Sequence, residues 1–237
     1  MLKATVPGIQ RSDLSSVVLQ FKAMGITDVS NFEFIDQPSK EALFAAEKQL
    51  YGLTALDNKG EITEMGRRIV SFPLDPKLSK MLIASIDNKC SEEIIIIIAM
   101  LSVQNVFFRP HKKQDEADAK KDEMSSPVSD HITLLNVYNL WETNNYSSRW
   151  CKKNFINERS MNEAYQIREL LYERMSQNKI EVFSAGMNIE RIQKTVCAGF
   201  AQNLAKREFN PLKFSYSLIN DGIEKTKAFI HPSSSLM

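Results

Sequence analysis

The longest run of apolar side chains lies near the middle of the chain, where five consecutive isoleucines occupy residues 94–98 and three further apolar residues follow. Isoleucine also favours strands, so this run alone leaves the type of element open. The preceding residues favour a helix, because Ser91 is a good N-cap and the two glutamates after it suit the positive end of a helix dipole. We therefore predict a helix over residues 91–103 that is buried on every side.

Polar side chains appear together as soon as this apolar run ends. They are Ser102, Gln104 and Asn105, followed after two phenylalanines by Arg109 and Pro110. A rigid helix that delivers amides, aromatic rings and an arginine to one end is typical of a supported contact site. The alternative interpretation is that the polar groups only cap the carboxyl end of the helix and meet no ligand.

Before this helix, the apolar spacing predicts two longer helices, a small hairpin and a short helix. The first helix ends at Gly25, and Ser39 opens the second after a proline. Residues 56–63 place short extended arms around an Asn-Lys-Gly turn, which indicates a tight hairpin. Thr63 then caps the short helix. Helices followed by a small wing are typical of a winged-helix domain, which we predict over residues 1–73.

After a stiff Pro-Leu-Asp-Pro connector, the pattern predicts a helical domain over residues 74–185. Asp130 is predicted to cap a helix that runs through Trp141, and a longer helix is predicted over residues 155–175. Residues 111–128 mix lysines with many carboxylates, and such a run is usually a solvated surface loop.

The last part of the chain, residues 186–237, changes to shorter extended segments. Residues 212–219 and 225–230 flank an Asn-Asp-Gly turn at 220–222, which indicates a hairpin. Two or three strands cannot close a barrel, so we expect this β domain to be incomplete. The predicted fold class is therefore mainly α with a small β part.

Composition places the chain among ordinary soluble globular proteins. Its 237 residues are 43% hydrophobic and 25% charged, with a formal net charge of +1. Residues 186–237 carry seven Lys and Arg against four Asp and Glu, a net charge of +3. This charge is compatible with contacts to phosphate groups but does not by itself predict them. Three widely spaced cysteines indicate reduced thiols in a nuclear or cytosolic protein. No window reaches the roughly 18 apolar residues of a membrane helix, so no membrane partner is expected.

The sequence lacks the common signatures of catalysis and cofactor binding. It has no phosphate-binding Gly-x-x-x-x-Gly-Lys-Ser/Thr loop, no dinucleotide fingerprint and no Gly-x-Ser-x-Gly elbow. Its three histidines, His111, His131 and His231, stand alone without the paired ligands that zinc needs. We therefore expect no catalytic residue, no metal site and no cofactor in this chain by itself.

Several segments resemble, in the same order, the region that follows the helicase core of DEAH-box RNA helicases. They lie at residues 19–26, 50–57, 65–68, 72–76, 101–110, 130–138 and 230–234. With the residues that flank them, these segments cover roughly residues 11 to 235, nearly the whole chain. The sequence Ser-Val-Gln-Asn-Val-Phe at residues 102–107 is most similar to the pre-mRNA-splicing branch of the family, in particular to its mRNA-release helicase.

The resemblance implies three parts: a winged helix (1–73), a helical ratchet or helicase-associated domain (74–185) and a truncated OB-fold (186–237). It implies a parent protein in which two RecA-like domains, absent from this sequence, bind ATP and Mg²⁺ and drive 3′-to-5′ translocation. The implied partners are single-stranded RNA, that helicase core in cis and spliceosome components, and the implied location is the nucleus. We also expect the chain to be one part of a longer protein.

The same resemblance extends the candidate RNA contacts beyond the helix end. It adds His131, in the first turn of its helix, and the loop that holds His231, Ser233 and Ser234. A single-strand channel uses backbone and side-chain donors, an occasional cation and flat surfaces for the bases. The alternative interpretation is that His131 bonds only a backbone carbonyl near the start of its helix and that the loop with His231 is an ordinary turn.

Two further functions compete with RNA binding. A protein-docking module would bind a glycine-rich G-patch activator through an exposed apolar patch within residues 14–56. A free-standing winged-helix transcription factor would need a basic recognition helix. Residues 41–53 carry only Lys48 against Glu41 and Glu47, which argues against the reading of duplex DNA.

Overall fold

The computed structural model describes residues 7–186, 188–209, 215–219 and 226–236. The chain divides into two compact units, the first formed by residues 1–87 with 193–203 and the second by residues 88–192 with 204–237. The limits 1–73, 74–185 and 186–237 stay predictions.

The first unit is built mainly from helices. They are α1 (Ser15–Ala23), α2 (Lys40–Gly52), α3 (Glu64–Val70) and α4 (Pro76–Asp87). The predicted caps are confirmed, because the hydroxyl of Ser39 accepts from the amide of Ala42 at 3.1 Å and that of Thr63 accepts from the amide of Gly66 at 3.0 Å. Each cap satisfies an amide that the first helical turn leaves without a partner.

The predicted hairpin is present in a short form between α2 and α3. Leu56 and Ile62 form one antiparallel bridge. The carboxylate of Asp57 accepts from the amides of Lys59 and Glu61 at 2.8 and 2.9 Å, and Gly60 supplies a φ of +76°. This arrangement is a turn stabilised by one side chain, with arms too short to form a strand pair.

The second unit is organised around the apolar helix. Its helices are α5 (Ser91–Leu101), α6 (Gln114–Met124), α7 (Asp130–Thr143), α8 (Ser148–Lys153) and α9 (Glu158–Gln177). All five isoleucines of α5 are buried, and this helix packs against both α7 and α9. The predicted buried helix is confirmed, and it ends two residues earlier than expected.

Three local predictions about this unit are wrong. The N-cap of α5 is Cys90, and the Ser91 hydroxyl instead accepts from the amide of Phe183 at 2.9 Å. Ser129, whose hydroxyl accepts from the following turn, caps α7 in place of Asp130. The charged segment is not a loop, since it contains α6. This helix packs on the unit through two buried side chains seven residues apart, Ala117 and Met124.

Helix α10 (Ile189–Gly199) is followed by a small sheet of three described strands, β1 (Ala205–Arg207), β2 (Ser215–Leu218) and β3 (Lys227–Phe229). The strands are antiparallel in the order β1–β2–β3, with Ala205 opposite Leu218 and Ser215 opposite Phe229. The mainly α fold with a small β part is thereby confirmed.

The predicted turn at 220–222 lies outside the described residues, as do the ends of both predicted strands at 212–214 and 225. The assignment of this part to an OB-fold therefore stays a prediction. Among the helices of the described ranges, none is both long and apolar enough to cross a membrane.

Candidate nucleic-acid interface

A cavity of about 610 Å³ opens in the second unit and joins two distant stretches of sequence. One wall comes from residues 105–109, another from α6 and a third from residues 231–235. Of the predicted contact residues, the structure brings Asn105, Arg109, His231, Ser233 and Ser234 to this cavity.

The backbone at the end of α5 sets the direction of the first wall. Asn105 adopts a φ of +53°, a left-handed conformation that asparagine tolerates better than most residues. The chain then runs extended, and Phe108 donates its amide to the carbonyl of Phe155 at 2.8 Å. Phe107 pairs with Ile156 in an isolated bridge. Arg109 is thus carried on a segment pinned by backbone hydrogen bonds.

Arg109 and Asp118 form a two-point ion pair across the cavity rim. The guanidinium donates from Nε and Nη2 to the two carboxylate oxygens at 2.7 and 2.6 Å. This hydrogen bond lowers the pKa of Asp118 and raises that of Arg109. Asp118 uses two of the five N–H donors of the arginine, so three are left for another acceptor.

Lys121 lies one helical turn beyond Asp118 and reaches the third wall. Its ammonium group donates to the backbone carbonyl of Ser233 and lies 5.1 Å from the ring centre of Phe107. Helix α6 therefore contacts both walls of the cavity, with a carboxylate on one side and an ammonium group on the other.

The third wall is held by the carboxylate of Asp130. It accepts from the hydroxyl of Ser234 at 2.6 Å and from the amide and hydroxyl of Ser235 at 2.7 and 2.8 Å. Partial burial alone raises the pKa of Asp130, but the bonds from the two serines outweigh it and lower the pKa.

The ring of His231 is oriented within the same loop. Its Nδ1 lies 2.8 Å from the hydroxyl of Ser233 and accepts from the amide of Ser233 at 3.2 Å. Since Nδ1 accepts this bond, the neutral ring carries its proton on Nε2. His231 and the side chain of Ser233 are exposed, so the ring can donate from Nε2 to a ligand and the hydroxyl oxygen, whose hydrogen is directed at Nδ1, can accept from one.

Four predicted contact residues do not line the cavity. The hydroxyl of Ser102 donates back to the carbonyl of Ile98 at 2.8 Å, and the carbonyl of Gln104 accepts from the hydroxyl of Ser160 at 2.6 Å. Pro110 comes directly after Arg109, the last residue of the first wall, and does not line the cavity. His131 has Nδ1 at 3.2 Å from the hydroxyl of Ser129, and burial lowers the pKa of its ring.

Sequence reasoning missed Asp118, Lys121 and Asp130 as parts of the site. The mixed charge of residues 111–128 predicts a solvated loop that includes the first two, and the sequence predicts the third only as a helix cap. The sequence gives little indication of their role, because only tertiary packing brings them to their partners at positions 109, 233 and 235. The described residues contain no group of three or more His, Cys, Asp and Glu side chains arranged to hold a metal ion.

Comparison with known proteins gives matches along most of the chain. Residues 46–74 match the family described as helicase associated domain (HA2), winged-helix, and residues 75–134 match its ratchet-like counterpart. Over 236 residues, the whole of this chain, the sequence is 42% identical to the pre-mRNA-splicing factor ATP-dependent RNA helicase prp22 of Schizosaccharomyces pombe. The chain is a helicase-associated region of the DEAH-box splicing-helicase type. The helicase-associated region spans only 20% of the length of that relative.

The ratchet-like match contains most of the candidate interface. It includes the end of α5, the extended segment that carries Arg109, all of α6 and the start of α7 with Asp130. The cavity is thus formed largely by the ratchet-like part of the helicase-associated region and is closed by residues 231–235.

Proposed function

We propose that this helicase-associated region forms one side of a single-stranded RNA channel in a DEAH-box splicing helicase. The observation that carries this proposal is the cavity in which Arg109 faces the His231–Ser233 loop. A cation with free donors, an imidazole, a hydroxyl and an exposed ring at Phe108 are the groups that bind a nucleic-acid strand without reading its sequence.

The proposed contacts with RNA fall into two groups. Asn105, Arg109, His231, Ser233 and Ser234 line the cavity and are proposed to touch the strand directly. The predicted contacts at Ser102, Gln104, Pro110 and His131 lie outside the cavity walls. For these four we propose a supporting position along the same channel.

The activity of the whole protein is part of the same proposal. The relative carries the words ATP-dependent RNA helicase and splicing factor in its name, and this chain covers a fifth of it. We propose that RecA-like domains in cis bind ATP and Mg²⁺ and drive 3′-to-5′ translocation, while this region contributes grip. Spliceosome components as partners, mRNA release as the step and the nucleus as the location belong to the same proposal.

Substitution of Arg109 in the full-length helicase tests the RNA contact. Arg109→Ala should weaken the binding of single-stranded RNA and reduce the slope of log K against log salt by about one. It should impair unwinding more than basal ATP hydrolysis. Arg149→Ala removes an exposed arginine of α8 in the same unit and serves as the control. Unchanged RNA affinity with an unchanged salt slope for Arg109→Ala would overturn the proposal.

A second candidate function is the docking of a G-patch-type partner on the first unit. Five large apolar side chains are exposed there, at Met24, Phe32, Ile35, Phe44 and Tyr51. A contiguous patch of such side chains marks a contact with another protein. A labelled G-patch peptide should bind the region and lose affinity in Phe44→Ser, whereas Phe108→Ser should leave its binding unchanged.

A further inference from the structure

The loop at residues 230–236 has few backbone hydrogen bonds of its own. It follows β3, and its described internal bond joins the amide of Ser234 to the carbonyl of His231 at 2.8 Å. A segment with so little regular structure samples many conformations unless side chains from elsewhere fix it. The position of His231 and Ser233 therefore depends on anchors outside the loop.

Asp130 is the principal anchor, and it lies 104 and 105 residues away from its two partners. Its two carboxylate oxygens receive three hydrogen bonds from Ser234 and Ser235. The next turn of α7 adds Thr133, whose hydroxyl lies 3.3 Å from that of Ser235 and accepts from the amide of Ser126 at 2.9 Å. The start of α7, through Asp130 and Thr133, thus fixes the loop and the end of the α6–α7 connection together.

The carboxylate of Asp130 is not needed by its own helix. Ser129 supplies the cap of α7, with its hydroxyl accepting from the amide of His131 at 3.1 Å. A carboxylate in the first turn interacts favourably with the helix dipole and so stabilises the helix, but that effect requires no bonds to a distant loop. A negative charge beside the path of a polyanion opposes binding. Here three hydrogen bonds stabilise that charge, and the same bonds hold the loop.

We infer that Asp130 is a positioning residue for RNA binding, one that touches no RNA itself. Resting on the proposed function, this inference gives the carboxylate the task of fixing residues 231–236 so that His231 and Ser233 face Arg109 across the cavity. Pre-ordering the loop removes a conformational cost that the strand would otherwise have to offset on binding. Affinity then depends on Asp130 through His231 and Ser233.

The test uses the full-length helicase with Asp130→Asn, which keeps the shape of the side chain but replaces one acceptor with a donor. Single-stranded RNA should bind about five- to ten-fold more weakly, and the Ser235 amide should exchange its hydrogen faster. The salt slope should stay unchanged, because no phosphate contact is removed. Asp130→Glu, which keeps the carboxylate, should restore much of the affinity.

Asp57→Asn is the matched control, since Asp57 also fixes a turn by accepting two backbone amides but lies in the first unit. It should leave RNA affinity unchanged. In a His231→Ala background, Asp130→Asn should cause a smaller loss than in the parent, because His231 is one of the two contacts that Asp130 positions. Full additivity of the two losses would contradict the inference.

Failure of this inference is separable from failure of the RNA proposal. If Asp130→Asn speeds exchange at Ser235 while RNA affinity stays the same, the positioning role is overturned and Arg109→Ala still decides the channel. If Arg109→Ala also leaves RNA binding unchanged, the channel itself is overturned. Equal losses of affinity in Asp130→Asn and Asp57→Asn would show a general folding effect and would likewise overturn the positioning role.

Discussion

Arg109 and Asp118 are joined by two hydrogen bonds of 2.7 and 2.6 Å, one to each carboxylate oxygen, so that a carboxylate occupies the same two donors that would bind a phosphate. Both side chains are about half exposed. Exposed ion pairs are weak and are screened by salt. In the proposed channel, an RNA phosphate would displace Asp118 from the guanidinium, so the carboxylate would compete with the strand.

The first prediction concerns this competition. Asp118→Asn should tighten the binding of single-stranded RNA, most clearly at low salt, because Arg109 then binds a phosphate without first losing its ion pair. The measurement is a salt titration of RNA affinity in the full-length helicase.

The control for Asp118→Asn is Glu116→Gln on the same helix. Glu116 is ion-paired with Lys113 at 2.9 Å and lies outside the cavity walls, so its loss should change RNA affinity little. Weaker binding by Asp118→Asn would mean that the carboxylate orients Arg109 and does not compete with the strand.

The second prediction concerns a buried carboxylate on the central helix. Glu93 accepts from the hydroxyl of Ser184 at 2.6 Å and from the amide of Ala185 at 3.0 Å. Glu93→Ala should lower the free energy of unfolding by about 1–3 kcal/mol, because it leaves these donors without their acceptor. Urea denaturation gives the stability, and hydrogen exchange at Ala185 should become faster. The neighbouring Glu92→Ala, at a partly exposed position, should stay within about 0.5 kcal/mol of the parent.

The third prediction sets helix propensity against packing. Alanine is favoured over glycine by about 1 kcal/mol inside a helix such as α3. A Cβ on Gly66, however, would lie 2.3 Å from the carbonyl oxygen of Ala55 and 2.8 Å from Cγ1 of Ile62. Gly66→Ala should therefore be destabilising by about 1–3 kcal/mol in urea denaturation. Gly8→Ala, with no atom within 4 Å of the new Cβ, should be close to neutral, and stabilisation by Gly66→Ala would refute the clash.

The fourth prediction concerns acid stability at His131. Burial lowers the pKa of this ring below its ordinary value of 6.5, although the charge of Asp130 opposes the shift. Below pH 6.5 the unfolded chain therefore binds a proton that the folded chain does not. The stabilising contribution of His131 is complete above that pH and is lost as the pH falls through the folded pKa.

Urea midpoints between pH 7.5 and 5.5 measure this contribution. His131→Gln should flatten the decline of stability toward acid pH, whereas His111→Gln, at an exposed position, should leave the decline as it is. A parallel decline in the parent chain and His131→Gln would rule out a role for this ring.

Local pattern predicted much of the framework. The apolar run predicts a buried helix because it has no polar face. Ser39 is predicted to open α2 and Thr63 to cap α3, and each hydroxyl satisfies a free amide of the first turn. The same reasoning failed at Ser91, whose hydroxyl meets the amide of Phe183 from another part of the chain. It failed again at α6, where two buried side chains outweigh a highly charged surface.

The sequence by itself determined the mainly α class, most helix positions and several groups of the proposed nucleic-acid site, since these depend on residue types and on interactions within a few residues. Only the tertiary structure decided that Arg109 meets Asp118, that Lys121 meets Ser233 and that Asp130 holds Ser235. The last two pairs join positions more than 100 residues apart. Such contacts follow from how helices and loops pack in space, and the spacing of residues along a chain does not encode which distant charges will face each other.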